Sequence, residues 1–574
     1  MATVLVKVKH QGKVHEVELD PASTGETFKY QLFSLTGVEP ERQKILVKGG
    51  QLKNDTDLST LNAKPGQVFM MMGTPSEVVT DLGKPKEQVK FMEDMTAAEA
   101  ARAEGAIPAG LQNLGNTCYL NSTLQTFKSI PELQEELGKY KETRNAGPSA
   151  ELYSQFGLDG LGRSSQDLTA SLRDLYKQMS ETQEGFPPLA FLQTLREVYP
   201  RFAEKSRSGH GYAQQDAEEA WSEILNDIRN KVKISNPTEA TEGQNSNPLF
   251  IDKYLAGNFE STLTCDEQAA ADGGELAEDS TDSFLKLDCH ISKDTNHLKD
   301  GLMAGLSEKI EKHSATLGRD AVYTKTSRVS RLPKYLTVHF IRFFWKREAN
   351  KKAKIMRKVT FPAELDAVEY CTEALQKKLV PVRDKVREIR KDEEDMIRAR
   401  KRQKIAHKKG EEDTNDNLEP LQKAKEKKED TKTEDKNEDT EMNDVFKTDV
   451  EYEAEKEAKL KQAKKELFEL IDPELTKDDG SNRSGLYELR GVVTHQGASA
   501  DSGHYTAYVK KAGTIDSKTG KRKEEDGKWW WFNDDKVSEV DAEKIETLSG
   551  GGESHSALIL LYKAIDLPSA EDIK

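Results

Sequence analysis

Residues 381–470 constrain this chain more than any other stretch. They carry 24 Lys/Arg and 27 Asp/Glu among 90 positions, with Phe446, Tyr452 and Phe468 as the aromatics. So little apolar surface cannot offset the entropy of ordering them as a packed domain. A fold built from this chain must therefore draw its core from both sides of the stretch. The first part, "VRDKVREIRKDEEDMIRARKRQKIAHKK", reads as a solvated helix with both charge signs interleaved. "TNDNLEPLQKAKEKKEDTKTEDKNEDTEMND" reads as disordered. Within the first part, "RARKRQKIAHKK" has the composition of a nuclear-import signal, although one basic face of a helix accounts for it better.

At 574 residues the chain exceeds what one core can organise, and three to four domains are expected. A net charge of -15 argues against a nucleic-acid footprint, which needs basic surface. Cys118, Cys265, Cys289 and Cys371 form no CxxC pair, so neither a disulfide scaffold nor a metal is expected, and no cofactor. No run reaches the ~18 apolar residues of a membrane span. "MATVLVKVKHQGK" lacks the core of a signal peptide. A soluble intracellular protein is expected.

Val4, Val6 and Val8 alternate, a turn follows around Gly12, and Val14, Val17 and Leu19 continue the pattern, which predicts a hairpin. Phe28, Leu32 and Leu35 then lie at helical spacing, with Gly37 as the stop. "QKILVKGGQL" and "QVFMMMG" read as two further strands. This order over residues 1–73 resembles ubiquitin, most closely in "PERQKILVKGGQLKNDTDLSTL". No terminal Gly-Gly follows, so the resemblance implies an integral β-grasp docking domain. By that alignment Leu46 and Met71 fall on ubiquitin's exposed apolar patch; ordinary core or surface positions are the alternative. Residues 74–105 read as a linker.

"GLQNLGNTCYLNSTLQ" sets Cys118 among polar residues where the apolar pattern of a helix begins at Leu120, Leu124 and Phe127. A thiol in a first helical turn meets unpaired N–H groups and the positive end of the helix dipole, which favour thiolate. The base must come from elsewhere, and "THQGASADSGHYTAYVKK" supplies His504 between a Gly/Ser-rich loop and an alternating strand. His495, nine residues earlier, reads as a bystander facing a loop. "GKWWWFNDDKVSEV" predicts a neighbouring strand ending at Asn533, Asp534 and Asp535.

These boxes resemble those of the ubiquitin-specific proteases, papain-like thiol enzymes. The resemblance implies Cys118 as nucleophile, His504 as base, Asn113 as oxyanion donor and Asn533 as the residue orienting His504, with Asp534 able to add charge. "HGYAQQDAEEAWSEILNDI" matches the family's Gln-Gln-Asp segment, which implies that Gln214, Gln215 and Asp216 line the groove for ubiquitin's tail. For Asp216 a simple helix cap is the competing role. Gly503 and Tyr505, flanking His504, are assigned to substrate binding on the same grounds. The cationic turn after "RLPKYLTVHFIRFFWKR" and the "HQGASADSG" loop flank the cleft, as plain connections or as gates.

Taken together with the N-terminal segment, the chain resembles the proteasome-associated branch of this family. That implies an α+β chain: a ubiquitin-like domain (1–73), a linker (74–105), a papain-like catalytic domain of thumb, palm and fingers in two parts (106–380 and 476–565), a charged insertion (381–475) and a tail (566–574). It also implies ubiquitin and polyubiquitinated proteins as substrates, and docking of residues 1–73 on the proteasome regulatory particle. A monomer when free, cytoplasmic and nuclear, is expected. A non-catalytic regulator using the same cleft is the runner-up.

Overall fold

The computed structural model describes residues 3–10, 12–47, 50–73, 96–97, 106–141, 167–206, 211–234, 248–346, 351–414, 449–499, 502–513 and 525–568. The expected linker (but for 96–97), the stretch read as disordered from 415 on, and the tail from 569 lie outside them. The chain divides into two compact units, Met1–Met95 and Thr96–Lys574.

In the first unit, β1 (Val4–His10) and β2 (Lys13–Leu19) form the expected hairpin, and Gly12 takes φ +82°, which a glycine adopts without strain. Helix α1 (Gly25–Thr36) buries Phe28 and Leu32 and stops where Gly37 turns left-handed, its N–H donating to Phe33 O. Leu35 points outward. Strands β3 (Lys44–Val47), β4 (Gly50–Gln51) and β5 (Val68–Met72) complete a sheet of order β2-β1-β5-β3-β4, in which β1 and β5 run parallel. This is the β-grasp arrangement.

The alternation of β5 corrects one expected position. Phe69 and Met71 enter the core, and Met71 is 2% exposed. Met70 and Met72 face outward at 52% and 49%, with Leu46 at 44% opposite Met70. Side chains on a strand alternate, so an alignment off by one residue moves the assignment to the wrong face. Leu46 stands on the exposed patch; Met71 does not.

The second unit begins with helices: α2 (Cys118–Lys128), α3 (Pro131–Lys139), α4 (Leu168–Met179), α5 (Leu189–Val198) and α6 (Ala217–Lys231). They form the thumb. Ten consecutive residues of α2, Cys118 to Phe127, are buried, so this helix is the thumb's centre. Phe127 lies against Trp221 of α6 with ring centroids 4.1 Å apart. The face of α6 expected to be apolar (Ala217, Ala220, Trp221, Ile224, Ile228) is the face that is buried.

The fingers are an antiparallel sheet of order β7-β6-β10-β9, made of β6 (Gly257–Cys265), β7 (Glu278–Phe284), β9 (Ser307–Ser314) and β10 (Arg319–Arg331). The palm is an eight-stranded sheet. Its path is β18 (Lys536–Val540), β17 (Trp529–Asn533), β16 (Ser502–Lys510), β15 (Leu486–Ser499), β19 (Ser556–Ala564), β11 (Tyr335–Ile341) and β8 (Leu287–His290), with β14 (Glu364–Asp366) pairing β15. A separate hairpin pairs β12 (Phe343–Lys346) with β13 (Lys351–Lys354).

The charged insertion is helical where it is described. Helix α7 (Glu373–Thr414) starts inside the palm core through Leu375 and Leu379 and runs on through Pro381, so the expected boundary at 381 falls within it. Helix α8 (Asp449–Leu470) packs back along α7, with Leu467 and Ile471 against Val382, Val386 and Ile389. Lys385–Glu466 and Lys464–Glu393 bridge the pair. Among the described residues, Val382, Val386, Ile389, Leu467 and Ile471 form one buried cluster with Leu486 and Ile565 of the palm. The side chains of the import-like stretch from 399 lie outside the described residues.

Candidate active site

Cys118 is the first residue of α2, and β16 packs against this helix. The helix of Cys118 and the strand of His504 are brought together in this way although 386 positions separate the two residues. β15 and β16 pair with Gln496 opposite His504, and β16 and β17 pair with Ala507 opposite Phe532. That register carries Asn533, the last residue of β17, to the His504 ring: Nε2 and Asn533 Oδ1 are 2.6 Å apart. The ring then donates from Nε2, which leaves Nδ1 as the nitrogen able to exchange a proton with a thiol.

Asp534 occupies the turn between β17 and β18 at φ +54°. Its Oδ2 lies 4.0 Å from His504 Nε2 and accepts from Asn113 Nδ2 at 3.0 Å; its Oδ1 accepts from Asn121 Nδ2 at 2.8 Å. Both Asn533 and Asp534 therefore address the base, one by a hydrogen bond and the other by charge. Asn113 Oδ1 accepts from the N–H groups of Gly115 and Thr117, which fastens the loop ahead of the thiol. Asn113 is exposed, and one of its amide hydrogens is used by Asp534, leaving the second for an oxyanion.

The thiol departs from the expectation of a helix terminus. Cys118 is 2% exposed, and burial pushes it up to about 11. The N–H groups of Tyr505, Tyr119 and Cys118 favour thiolate, and the Asp534 charge opposes it, but loss of hydration outweighs them. No hydrogen bond joins Cys118 Sγ to the His504 ring among the described residues. Catalytic hydrogen bonds are often long without substrate.

Other expected residues divide. Gln214 is buried, with its Nε2 donor unpaired among the described residues. Gln215 Nε2 donates to Arg201 O. Asp216 caps α6, accepting from Glu218 N at 3.0 Å, so the capping role holds. Gly503 sits at φ +132°, and a Cβ there would meet Gln496 O at 2.1 Å. Tyr505 has its side chain buried, its ring 4.6 Å from that of His495, and its backbone N–H toward the Cys118 thiol. His495 is fully buried, its ring T-shaped against Phe343 and beside Gly497 and Gly503 of the loop. Burial holds His495 down to about 3 and His555 down to about 4, so both stay neutral near pH 7. The sequence reading missed Asn121 and Lys354, whose Nζ donates to His495 O at 2.6 Å. The signal for Asn121 was a carboxamide one turn beyond the cysteine on a helix otherwise expected to pack by apolar contacts.

The free cysteines are Cys118, Cys265, Cys289 and Cys371. No helix among the described residues is long and apolar enough to cross a membrane.

A thiol at a helix start, an imidazole oriented by an amide and a nearby side-chain amide donor define a cysteine-type hydrolase joined to a β-grasp domain. The chain belongs to the ubiquitin carboxyl-terminal hydrolase family, whose model matches residues 109–562, and the ubiquitin family model matches residues 4–76. It is a deubiquitinating enzyme, with ubiquitin and ubiquitinated proteins as its substrates. Among its relatives, ubiquitin carboxyl-terminal hydrolase 6 of Schizosaccharomyces pombe is 43% identical over 98% of this chain and 99% of the relative. Ubiquitin carboxyl-terminal hydrolase 7 of Arabidopsis thaliana is 38% identical, covering 97% and 98%. Ubiquitin carboxyl-terminal hydrolase 14 of Caenorhabditis elegans is 31% identical, covering 98% and 93%.

Proposed function

We propose that this enzyme trims ubiquitin from conjugates at the proteasome, docking through its ubiquitin-like domain and cleaving after ubiquitin's C-terminal glycine. The observation that carries the chemistry is the 2.6 Å contact between His504 Nε2 and Asn533 Oδ1. In this reading His504 takes the Cys118 proton through Nδ1, and the thiolate attacks the carbonyl. Asn113 Nδ2 and backbone N–H groups at Cys118 receive the oxyanion. The imidazolium returns its proton to the leaving amine, and water then hydrolyses the thioester. The catalytic domain in two parts, 106–380 and 476–565, and the cytoplasmic and nuclear setting of a monomer belong to the same reading.

Docking is supported by the exposed apolar face of Leu46, Met70 and Met72, which an isolated soluble domain has no need to carry. A second role, regulation of the partner without cleavage, is favoured by the burial of Cys118, which leaves the free chain able to hold its thiol in reserve.

The test is hydrolysis of a fluorogenic ubiquitin C-terminal amide by the full chain, with and without proteasomes stripped of their own deubiquitinases. Cys118→Ala and the triple variant Leu46→Ala, Met70→Ala, Met72→Ala are run beside it. The reading expects stimulation by proteasomes that the triple variant loses and cleavage that C118A abolishes. Equal rates with and without proteasomes would remove docking from the account, and residual cleavage by C118A would remove the nucleophile.

A further inference from the structure

Asn121 lies one helical turn beyond Cys118 on α2, and its side chain is buried. Its Nδ2 is 2.8 Å from Asp534 Oδ1, 3.1 Å from Leu111 O and 3.3 Å from Gln112 O. All three neighbours are acceptors, so the network fixes which end of the carboxamide faces them. Its Oδ1 has no partner among the described residues. An idle buried acceptor costs stability, so what this side chain contributes is its Nδ2 donor.

What the amide holds is a carboxylate with two further duties. Asp534 Oδ2 meets Asn113 Nδ2 at 3.0 Å and stands 4.0 Å from His504 Nε2, while the side chain is only 11% exposed. The backbone is clamped at the same place. Leu111 N donates to Asp534 O at 3.0 Å, and a Cβ on Gly110 would meet Asp535 O at 2.4 Å. The segment ahead of the thiol and the turn after β17 are therefore in close contact, with Asp534 at the junction.

We propose that Asn121 is a positioning residue for hydrolysis: by holding Asp534 Oδ1 it aims Oδ2 at both Asn113 and His504, so that the helix carrying the thiol also sets the oxyanion amide and the base. This rests on the roles given to Cys118, His504 and Asn113. Without the Asn121 N–H the carboxylate is free to rotate, and both groups lose their common reference. The loss falls on the transition state, where a displacement of the order of 1 Å costs about a hundredfold.

The experiment uses the full chain and the ubiquitin amide substrate, comparing wild type, C118A, N121A, N121D, D534A and N121A/D534A, each with its melting temperature. Expected for N121A is a fall in kcat of about 10- to 100-fold with KM within about twofold. In the D534A background the same change should cost less than about twofold, because a residue acting through another adds nothing once that other is gone. N121D keeps the size but sets two carboxylates face to face. Its kcat should fall at least as far as that of N121A, and its ratio to wild type should rise towards low pH, where the pair shares a proton.

A purely structural asparagine predicts the reverse: N121A loses melting temperature with its kcat within about twofold of wild type, or it loses as much kcat in the D534A background as in wild type. Either result overturns the proposal. If N121A does not fold, Asn121→Ser in the wild-type and D534A backgrounds decides by the same comparison. If wild type assayed with proteasomes present cleaves no faster than C118A, the hydrolase reading of these residues fails, an outcome separate from an N121A that matches an active wild type.

Discussion

Asn113→Ala separates the two jobs this side chain can do. As an oxyanion donor it contributes only when charge develops on the substrate carbonyl, and removing such a donor costs about 2.7–4 kcal/mol, or roughly 100- to 1,000-fold in kcat. As a brace it accepts from Gly115 N at 3.0 Å and Thr117 N at 3.2 Å and donates to Asp534 at 3.0 Å. Asn113 is exposed, so water replaces much of what is lost, and the three bonds together are worth about 1 kcal/mol. In a domain of this size that is a melting shift of roughly 2 °C. The assay is steady-state hydrolysis of the ubiquitin amide with a melting curve on the same sample. The expected result is a kcat loss above about 100-fold, little change in KM and a melting shift of a few degrees at most. Asn113→Asp should be worse than alanine, since it removes the donor and faces Asp534 with a like charge. A kcat loss below about tenfold accompanied by a large drop in melting temperature would refute the reasoning and leave Asn113 as a brace.

Four further outcomes are expected. Because burial raises the Cys118 thiol to about 11, thiolate is scarce at neutral pH, and inactivation by iodoacetamide should keep accelerating above pH 9; a plateau reached below pH 8 would show a preformed ion pair instead. Gly503→Ala should lower kcat/KM at least tenfold, because φ +132° and a Cβ 2.1 Å from Gln496 O force the loop beside His504 to move; an unchanged rate would show that the loop's placement is not required. In the ubiquitin-like domain Met71→Ala should cost about 2–5 kcal/mol, read by hydrogen exchange, while Met70→Ala and Met72→Ala stay within about 0.5 kcal/mol; equal costs would refute the face assignment. His495 and His555 fold in their neutral forms with pKa values held below the ordinary 6.5, so the unfolded chain takes up protons first as pH falls. Melting temperature should therefore decline from pH 6.5 towards 4, and less steeply in His495→Phe; identical slopes would remove His495 from the acid sensitivity.

The parts of the fold that the sequence made legible are those where one periodicity acts alone. The Val4–Val6–Val8 alternation, the helix from Phe28 to Gly37 and the apolar face of Ala217 to Ile228 all stand as their patterns require. The reading of β5 went to the wrong side because five residues, Val68 to Met72, are all apolar: a run without alternation carries no information about which face is buried. The active site was legible as a set of boxes, since each nucleophile, base and amide sits in its own local motif. Its electrostatics were not. The helix start predicted an acidic thiol, but desolvation depends on what packs over Cys118 from β16, hundreds of residues away. The burial of Tyr505 was illegible for a related reason: it is next to His504 in sequence while its side chain enters the core.

The charged insertion and the active site are compatible because they attach to opposite ends of the same strand. β14 leads into the insertion and pairs with the first residues of β15, Glu364 opposite Glu488 and Asp366 opposite Leu486. The chain therefore leaves the palm and returns to it at neighbouring positions. An insertion whose ends are already held together loses little further entropy when it lengthens, roughly 0.6 kcal/mol for each doubling of a flexible loop. The catalytic end of β15 begins at His495 and Gln496, and nine residues of strand from Leu486 span about 30 Å. Among the described residues, a central, doubly paired strand thus joins the insertion's end of the palm to the catalytic end. The two halves of the site need another link close at hand, and they have it: Leu111 and Asn113 from the first part meet Asp534 from the second within about 3 Å. That junction, rather than the chain's path through 381–470, holds the nucleophile and base in one geometry.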